Sequence, residues 1–288
     1  MAIVSWNTRD LLRECLASLP DSVDVWVVDN GSTDGSGAMV RADFPGVRLV
    51  ESERNLGFGG AVNLVARATS SPWLVVANAD VRVADGAVDA LLAAAERDPG
   101  AGAVAPRLVL PDGATQHSVF AFPTVPFALL FALGLAGDRL CVPGRWNWRR
   151  ARRVPWAIGA FLLVRRAAWD AAGGFDERQW MYAEDLELGW RLRRAGWATR
   201  YEPRAVVHHE SAASTSAAWG WMRTERWQRA TYAWVLRRRG GVALRTVALV
   251  NVVGALVRRE WGWAKLHAKT GLLTRRSTLR GADGPDDD

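Results

Sequence analysis

The sequence predicts an α/β fold in which a mostly parallel sheet is flanked by helices, with a helical extension at the C-terminus. Short apolar runs alternate with helix-forming segments in the first hundred residues, which is typical of consecutive β-α units. Loops between these segments are short, as right-handed crossovers in one sheet require. The last quarter of the chain instead predicts two long helices divided by Gly240-Gly241.

Four strands are predicted in the first half, at 2–6, 23–28, 47–51 and 73–81. The fourth strand begins with five consecutive apolar residues, as expected of a parallel strand that helices cover on both faces. Each strand leads into a helix, and these helices are predicted to end near residues 19, 43, 68 and 97.

Polar side chains follow the second and fourth strands where each strand ends. Asp29 and Asn30 follow the second, and Asn78 and Asp80 follow the fourth. Ligands of open α/β sheets bind beyond the carboxyl ends of the strands, and hard divalent cations prefer carboxylate oxygen. Asp80 is therefore a candidate cation ligand, although a polar turn accounts for either pair without any ligand.

The glycine-rich segment 57–60 precedes a predicted helix at 61–68. It lacks the third glycine of a dinucleotide-binding motif and follows the third strand instead of the first, so that class of site is excluded. Two interpretations remain. The backbone approaches a phosphate at the start of the helix, or it packs closely against another segment.

The segment 106–153 has no clear periodicity. Within it, 127–135 is apolar but too short to span a membrane, and we expect it to pack beneath the core in preference to dipping into a membrane face. The stretch 146–153 alternates aromatic and basic residues, as in a phosphate or sugar site or in a solvated loop. A strand is predicted at 154–164, where Gly159-Ala160 indicates close approach by another group.

A helix is predicted at 181–194, with acidic residues in its first turn and arginines in its last. The helix dipole accounts for this arrangement without any chemistry. Leucines and a tryptophan occupy two faces of the helix, however, so its acids are expected in a buried cleft wall, where catalysis is plausible. A final strand at 201–207 ends in His208-His209, a pair that is either structural or ligating.

The charge of the chain is concentrated in one segment. The net charge is +7, yet 219–280 holds 14 Arg or Lys against Glu225 and Glu260, and the rest of the chain is near neutral or acidic. This asymmetry indicates an anionic surface as the partner of one segment, not a nucleic-acid-binding protein. The two cysteines form no metal-ligand motif and suit a reducing compartment.

Taken in order, these segments resemble the family 2 glycosyltransferases and, within them, bacterial rhamnosyltransferase-like enzymes. Each motif is weak alone, but the ordered set is specific and covers about three quarters of the chain. The matching segments are 3–7, 27–35, 55–63, 78–80, 159–161, 173–177 and 182–185, followed by Pro203, His209 and Ser214.

The resemblance implies a GT-A fold that binds a nucleotide-activated sugar with Mg²⁺ or Mn²⁺. It implies Asp185 as the general base and Asp80 with His209 as metal ligands. His208 is the alternative to His209. Asn78 replaces the first of the family's two carboxylates, which leaves one charged ligand and puts strict metal dependence in question. Implied donor-binding residues are Asp29, Asn30, Asn55, Gly57, Asn63, Asn78 and Asp80, and implied acceptor-binding residues are Gly159, Ala160 and Glu184.

The function that follows is inverting transfer of a sugar to a hydroxyl of a lipid-linked or cell-envelope glycan. A carboxylate accepts the proton of the attacking hydroxyl, and a cation offsets the charge of the leaving diphosphate. Deoxythymidine-diphosphate rhamnose is the favoured donor. The alternative donor is another nucleotide sugar. The alternative functions are a catalytically silent scaffold that binds a nucleotide sugar, and a nucleic-acid-binding module. Only the basic C-terminal quarter supports the nucleic-acid-binding module, so no nucleic acid is expected as a partner.

The predicted domains are a catalytic domain at 1–218, a basic helical extension at 219–280 and a disordered acidic tail at 281–288. The nucleotide-sugar half of the catalytic domain covers about 1–110 and the acceptor half 111–218. The extension contains helices at 219–239 and 242–266, the second with a polar stripe of Asn251, Arg258 and Lys265. It either packs on the catalytic domain or lies on an anionic bilayer, and we favour the bilayer, which predicts a cytoplasmic enzyme peripheral to the inner face of the cell membrane.

Overall fold

The computed structural model describes residues 1–142, 145–210 and 222–274. In these ranges eleven strands form, namely β1 (Ala2–Ser5), β2 (Trp26–Asp29), β3 (Arg48–Glu51), β4 (Trp73–Asn78), β5 (Val81–Val83), β6 (Ala101–Val109), β7 (Val119–Phe120), β8 (Arg152–Val154), β9 (Trp156–Ala157), β10 (Phe161–Arg165) and β11 (Ala198–His209). The predicted strand 73–81 is divided into β4 and β5, so that Asp80 lies in the turn between them.

A mixed sheet in the order β3-β2-β1-β4-β10-β6-β11-β5 forms the centre, and β8 pairs with β11. The first four strands in this order pair in parallel, as the alternation of strands and helices predicted. β10 is inserted antiparallel between β4 and β6. β11 runs parallel to β6 and antiparallel to β5. The α/β fold is confirmed, and the later strands complete the sheet out of chain order.

Helices cover both faces of the sheet. The helices are α1 (Arg9–Ala17), α2 (Ser36–Asp43), α3 (Gly57–Ala68), α4 (Ala87–Arg97), α5 (Val125–Ala132), α6 (Arg166–Ala172), α7 (Glu184–Arg194), α8 (Met222–Val257) and α9 (Trp261–His267). One face of the sheet packs against α1, α2 and α4, and the other packs against α3, α6 and α7. On α3, Val62 and Val65 are buried three residues apart, and on α7 Leu188 and Leu192 four residues apart; each such side chain contributes about 1.5–3 kcal/mol when removed from water.

The C-terminal helices pack on the catalytic part of the chain through a third apolar cluster, in which Trp234 is fully buried. α8 is broken at Gly240, whose backbone is non-helical with φ +82°, as Gly240-Gly241 predicted. The second predicted helix ends earlier than expected, because Arg259 adopts φ +61° between α8 and α9. Three predicted features lie outside the described residues, namely the domain boundary at 218, Ser214 and the acidic tail at 281–288.

The prediction that 127–135 packs beneath the core is wrong. Of the residues in α5 only Ala128 is buried, and four leucines of this region are exposed, Leu133 by 70%. By length and composition, α8 between Thr224 and Val257 could cross a membrane. Arg245 interrupts the apolar part of this helix.

Candidate active site

A cavity of about 420 Å³ lies where strands from both parts of the sheet end. Its wall includes residues that the sequence had placed in separate motifs, and residues at the start of α8 complete it. Most of the predicted site residues line this cavity, namely Asn30, Asn55, Asn78, Asp80, Gly159, Ala160, Glu184, Asp185 and His209. The fold therefore brings the predicted cation ligands and the predicted base into one cavity.

Asp80 and His209 are adjacent because of strand pairing. β5 pairs antiparallel with β11 so that Val81 lies opposite His209, and the backbone N–H of Glu210 donates to the Asp80 carbonyl over 2.9 Å. Both side chains are buried, and His209 Nε2 lies 3.3 Å from Asp80 Oδ1. His208 is exposed, because neighbouring strand residues face opposite sides of a sheet. Of the two histidines, His209 is the one that faces the cavity.

The chemistry of this pair suits a cation. His209 Nδ1 lies 2.7 Å from Gln116 Oε1, a contact that favours the tautomer with the hydrogen on Nδ1 and the lone pair on Nε2. That lone pair then faces a carboxylate oxygen, and a cation satisfies both. The described residues contain no cluster of three or more His, Cys, Asp or Glu that could hold a metal ion. A cation at Asp80 and His209 would therefore take further ligands from a diphosphate or from water.

An unusual turn places the two acids at the start of α7. Tyr182 and Ala183 both adopt left-handed backbone conformations, with φ +61° and +60°, which cost of order 1–3 kcal/mol for such residues and are concentrated at functional sites. The carboxylate of Asp185 accepts the N–H of Gly159 over 3.1 Å at one oxygen. Its other oxygen accepts the N–H of Leu186 over 2.7 Å.

Burial within the cavity wall raises the pKa of both Glu184 and Asp185, because a carboxylate loses the solvation of water there. The negative charge of Asp185 raises the pKa of Glu184 further, whereas two backbone N–H donors oppose the rise at Asp185. Oε2 of Glu184 is buried without a hydrogen-bond partner among the described residues. The pair therefore favours a protonated Glu184 beside an ionised Asp185.

The segment containing Gly159 and Ala160 joins the two halves of the site. The Ala160 carbonyl accepts the N–H of Asn78 over 3.0 Å, and Gly159 donates to Asp185. A Cβ atom on Gly159 would lie 3.2 Å from the Phe58 ring, closer than an ordinary contact. The close approach that the sequence indicated at these two residues is present, and it ties the base to the end of β4.

Asn30 and Asn55 line the cavity, but most of their polar atoms bind protein groups. Asn30 Nδ2 donates to Asn55 Oδ1 over 2.8 Å, and Asn30 Oδ1 accepts the N–H of Leu56 over 2.8 Å. Gly57 does not line the cavity, and a Cβ atom there would lie 2.2 Å from the Trp180 carbonyl oxygen. Close packing, the second interpretation of the glycine loop, is therefore the one that Gly57 satisfies.

Asp29 and Asn63 also lie outside the cavity lining. Asp29 Oδ1 accepts the N–H of Ser32 over 2.9 Å and holds the turn after β2. Asn63 is buried, and its amide bonds both the N–H and the carbonyl of Phe175, each over 3.0 Å. Asp29 therefore shapes its own loop, whereas Asn63 ties α3 to the distant segment that contains Phe175.

Sequence reasoning did not assign several residues of the cavity wall to the site, among them Gln116, His117 and Trp227. The first two lie in the segment without periodicity, and Trp227 lies in a helix that we assigned to a membrane surface. Burial lowers the pKa of His117 to about 4, so its ring is neutral, and Phe120 meets it edge-on with ring centres 4.5 Å apart. No sequence signal marks Gln116, because only the fold brings it to His209.

Comparison with known proteins identifies the family. Residues 1–120 match the family model described as Glycosyl transferase family 2, and residues 144–280 match Glycosyl transferase family group 2. N-acetylglucosaminyl-diphospho-decaprenol L-rhamnosyltransferase of Mycobacterium tuberculosis is 38% identical over 284 residues, covering 86% of this chain and 91% of that protein.

Two solved structures have similar folds. The mannosyltransferase PcManGT from Pyrobaculum calidifontis, in complex with GDP-Man and Mn²⁺, has a TM-score of 0.57 and 18% identity, covering 98% of this chain and 84% of that one. GalNAc-T7 with UDP, GalNAc and Mn²⁺ has a TM-score of 0.56 and 15% identity, covering 81% of this chain and 50% of that one.

The fold and the cavity thus define a sugar-transferring enzyme with a GT-A fold. The chain belongs to the family 2 glycosyltransferases, in the rhamnosyltransferase-like branch, and these enzymes invert the configuration of the transferred sugar.

Proposed function

We propose that this enzyme transfers rhamnose from deoxythymidine-diphosphate rhamnose to N-acetylglucosamine that is carried on a polyprenyl diphosphate. The mycobacterial relative, with 38% identity over most of both chains, supports this choice of sugar and acceptor. A uridine- or guanosine-diphosphate sugar is the alternative donor. The observation that carries the proposal is that Asp185, Asp80 and His209 line one cavity.

In the proposed reaction, Asp185 accepts the proton of the acceptor hydroxyl as its oxygen bonds to the anomeric carbon of rhamnose. The bond from that carbon to the diphosphate oxygen breaks in the same displacement, which inverts the configuration. The hydrogen bonds from Gly159 and Leu186 orient the carboxylate for this proton transfer. A protonated Glu184 is available to donate a hydrogen bond to an acceptor oxygen, while Gly159 and Ala160 shape the wall beside it.

Asp80 and His209 are the residues that would hold a divalent cation, Mg²⁺ or Mn²⁺, with Asn78 in the same cavity wall. Such a cation, when bound, stabilises negative charge on the leaving diphosphate. Asn30 and Asn55 belong to the first half of the catalytic domain, and we place them at the nucleotide side of the proposed site. We also propose the division into a nucleotide-sugar half and an acceptor half, which these placements support.

The test of the base is Asp185→Asn. We expect donor affinity close to that of the wild type and a loss of turnover of about 10²–10⁴-fold, because an amide cannot accept the proton. Rhamnose transfer to a polyprenyl-diphosphate N-acetylglucosamine measures turnover, and calorimetry measures donor binding. Asp170→Asn, an exposed carboxylate on α6, is the matched control and should leave both unchanged. Near-normal turnover in Asp185→Asn would remove Asp185 from the mechanism.

An exposed apolar surface supports the proposal that the enzyme lies on an anionic membrane. In the second half of α8, Val242, Leu249, Val253 and Val257 recur at helical spacing and face outward, Val257 being 74% exposed. A Cβ atom on Gly254 would lie 2.9 Å from Ala132, so α5 and its exposed leucines adjoin this stripe. The outward face is therefore apolar. The prediction that Asn251 lies on an outward polar stripe is wrong, because its side chain turns inward and donates to the Tyr232 hydroxyl over 3.2 Å.

Basic residues flank this apolar stripe. Arg245, Arg258 and Arg259 are exposed on or beside the second half of α8. Exposed apolar side chains bordered by arginines are the signature of a helix that lies in the interface of an anionic bilayer. The opposite face of the same helix is buried against the catalytic part through Leu244 and Val247. We propose that this surface holds the enzyme on the cytoplasmic face of the membrane, where a lipid-linked acceptor is found.

Flotation with vesicles that contain phosphatidylserine tests this surface. Val253→Glu and Leu133→Glu should each weaken binding about ten-fold, since a charge replaces an apolar contact with lipid. Ala42→Glu, which adds the same charge on the exposed face of α2, is the control and should float like the wild type. If the two surface variants float as well as Ala42→Glu, the membrane surface lies elsewhere.

A further inference from the structure

Gln116 is held in place by the strand that precedes it. After β6 the chain turns back, Thr115 forms a bridge with Val109, and the N–H of Gln116 donates to the Leu108 carbonyl over 2.9 Å. Arg107 Nε donates to the Thr115 hydroxyl over 2.9 Å and strengthens this return. Because β6 pairs in parallel with β11, the returning segment reaches the end of β11, where His209 lies.

The amide of Gln116 decides which nitrogen of His209 carries the hydrogen. An amide oxygen 2.7 Å from Nδ1 favours the tautomer with the hydrogen on Nδ1, in which the lone pair of Nε2 points toward Asp80, whose Oδ1 lies 3.3 Å away. The opposite tautomer would place a hydrogen between Nε2 and Asp80. That hydrogen would occupy the position that a cation needs. The tautomer with its hydrogen on Nδ1 can therefore bind a cation, and the tautomer with its hydrogen on Nε2 cannot.

We propose that Gln116 is a positioning residue: its side-chain oxygen holds His209 in the tautomer and orientation that bind a divalent cation together with Asp80. This inference rests on the proposed metal-binding role of Asp80 and His209. Gln116 lies in the cavity wall and acts through His209, which with Asp80 would hold the cation.

A loss of the Gln116 oxygen has a defined consequence. The imidazole then takes the tautomer that donates from Nε2 to Asp80, and this internal hydrogen bond competes with the cation. Outer partners of metal-binding histidines generally change metal affinity by about 10–100-fold when removed. We expect a loss in this range for Gln116→Leu, in which an apolar side chain of similar length replaces the amide.

The experiment measures Mn²⁺ affinity in the presence of thymidine diphosphate, from the free-ion signal in electron paramagnetic resonance. Gln116→Leu removes the acceptor, whereas Gln116→Glu keeps an acceptor and cannot donate when ionised. Gln116→Glu should therefore bind Mn²⁺ at least as well as the wild type. Gln116→Leu should weaken binding about 10–100-fold. Melting temperatures of both variants, and nucleotide binding in the presence of a chelator, confirm that the fold is intact.

A second background separates positioning through His209 from a general effect. In His209→Ala, neither Gln116 substitution should change Mn²⁺ affinity further, because the residue through which Gln116 acts is absent. This non-additivity also controls for the charge that Gln116→Glu adds to the cavity.

Three results would overturn the inference. They are wild-type Mn²⁺ affinity in Gln116→Leu, equal losses in Gln116→Leu and Gln116→Glu, and a further loss from Gln116→Leu in the His209→Ala background. Equal losses would show that the amide donates to His209 instead of accepting. Unchanged Mn²⁺ affinity in His209→Ala is a different failure, because it removes the proposed metal-binding role of His209 and the inference with it.

Discussion

Glu187 joins α7, the helix that carries the proposed base Asp185, to the C-terminal extension. It lies two residues after Asp185 on α7, and its carboxylate is 1% exposed. This carboxylate accepts hydrogen bonds from Arg191 Nε over 2.7 Å, from Trp234 Nε1 over 2.8 Å and from Arg238 Nε over 2.9 Å, and also from Arg238 Nη2. Trp234 and Arg238 belong to α8, so one buried charge holds α7 and α8 together.

We predict that Glu187→Gln destabilises the protein by about 3 kcal/mol. Breaking a buried ion pair costs about 3–5 kcal/mol, because the remaining charge stays buried without its partner. The lower end applies here, since Arg191 is 24% and Arg238 34% exposed, and Arg191 keeps a bond to Asp176 over 3.0 Å. The amide also turns a donor toward arginines that can only donate. The expected decrease in Tm is roughly 6 °C.

Urea unfolding followed by circular dichroism measures this loss. Glu225→Gln is the matched control, because Glu225 also pairs with two basic residues, Arg229 and Lys269, but its carboxylate is 15% exposed and Lys269 is 57% exposed. Pairs of that kind contribute about 0–1 kcal/mol. If Glu187→Gln loses no more stability than Glu225→Gln, the buried carboxylate is not what joins α7 to α8.

Two further predictions concern the site. Because burial raises the pKa of Asp185 and its ionised form is the proposed base, kcat/KM should fall as pH is lowered, beginning above the usual aspartate range near 4. Glu184→Gln should leave this fall in place, because Glu184 is protonated while Asp185 titrates and the substitution removes no charge. A fall that moves to lower pH in Glu184→Gln would show that Glu184 is ionised beside Asp185. Gly57→Ala should cost more than about 2 kcal/mol, because its Cβ would clash with the Trp180 carbonyl at a left-handed φ. Gly60→Ala, whose Cβ would meet only Leu56 at an ordinary 3.4 Å, should be neutral or stabilising by up to about 1 kcal/mol in urea unfolding, and equal losses in both variants would refute this reasoning.

The sequence alone was sufficient to predict the α/β class, the parallel strands of the first half and the break at Gly240. Local patterns carry this information, because buried parallel strands need continuous apolar runs and a helix cannot pass through a glycine in a left-handed conformation. Asp80 and Asp185 were also predictable as candidates, since each follows from a motif contiguous in the chain. Their meeting in one cavity was a prediction from the order of the motifs, and the structure places both in its wall.

Tertiary structure decided what depends on long-range pairing. The pleat of β11 turns His209 toward Asp80 and His208 away, and a turn after β6 brings Gln116 to His209, although neither outcome has a local signal. The apolar segment around Leu133 was expected in the core, yet it is exposed beside α8. Burial is set by which partners a segment meets in space, and hydrophobicity along the chain does not specify those partners.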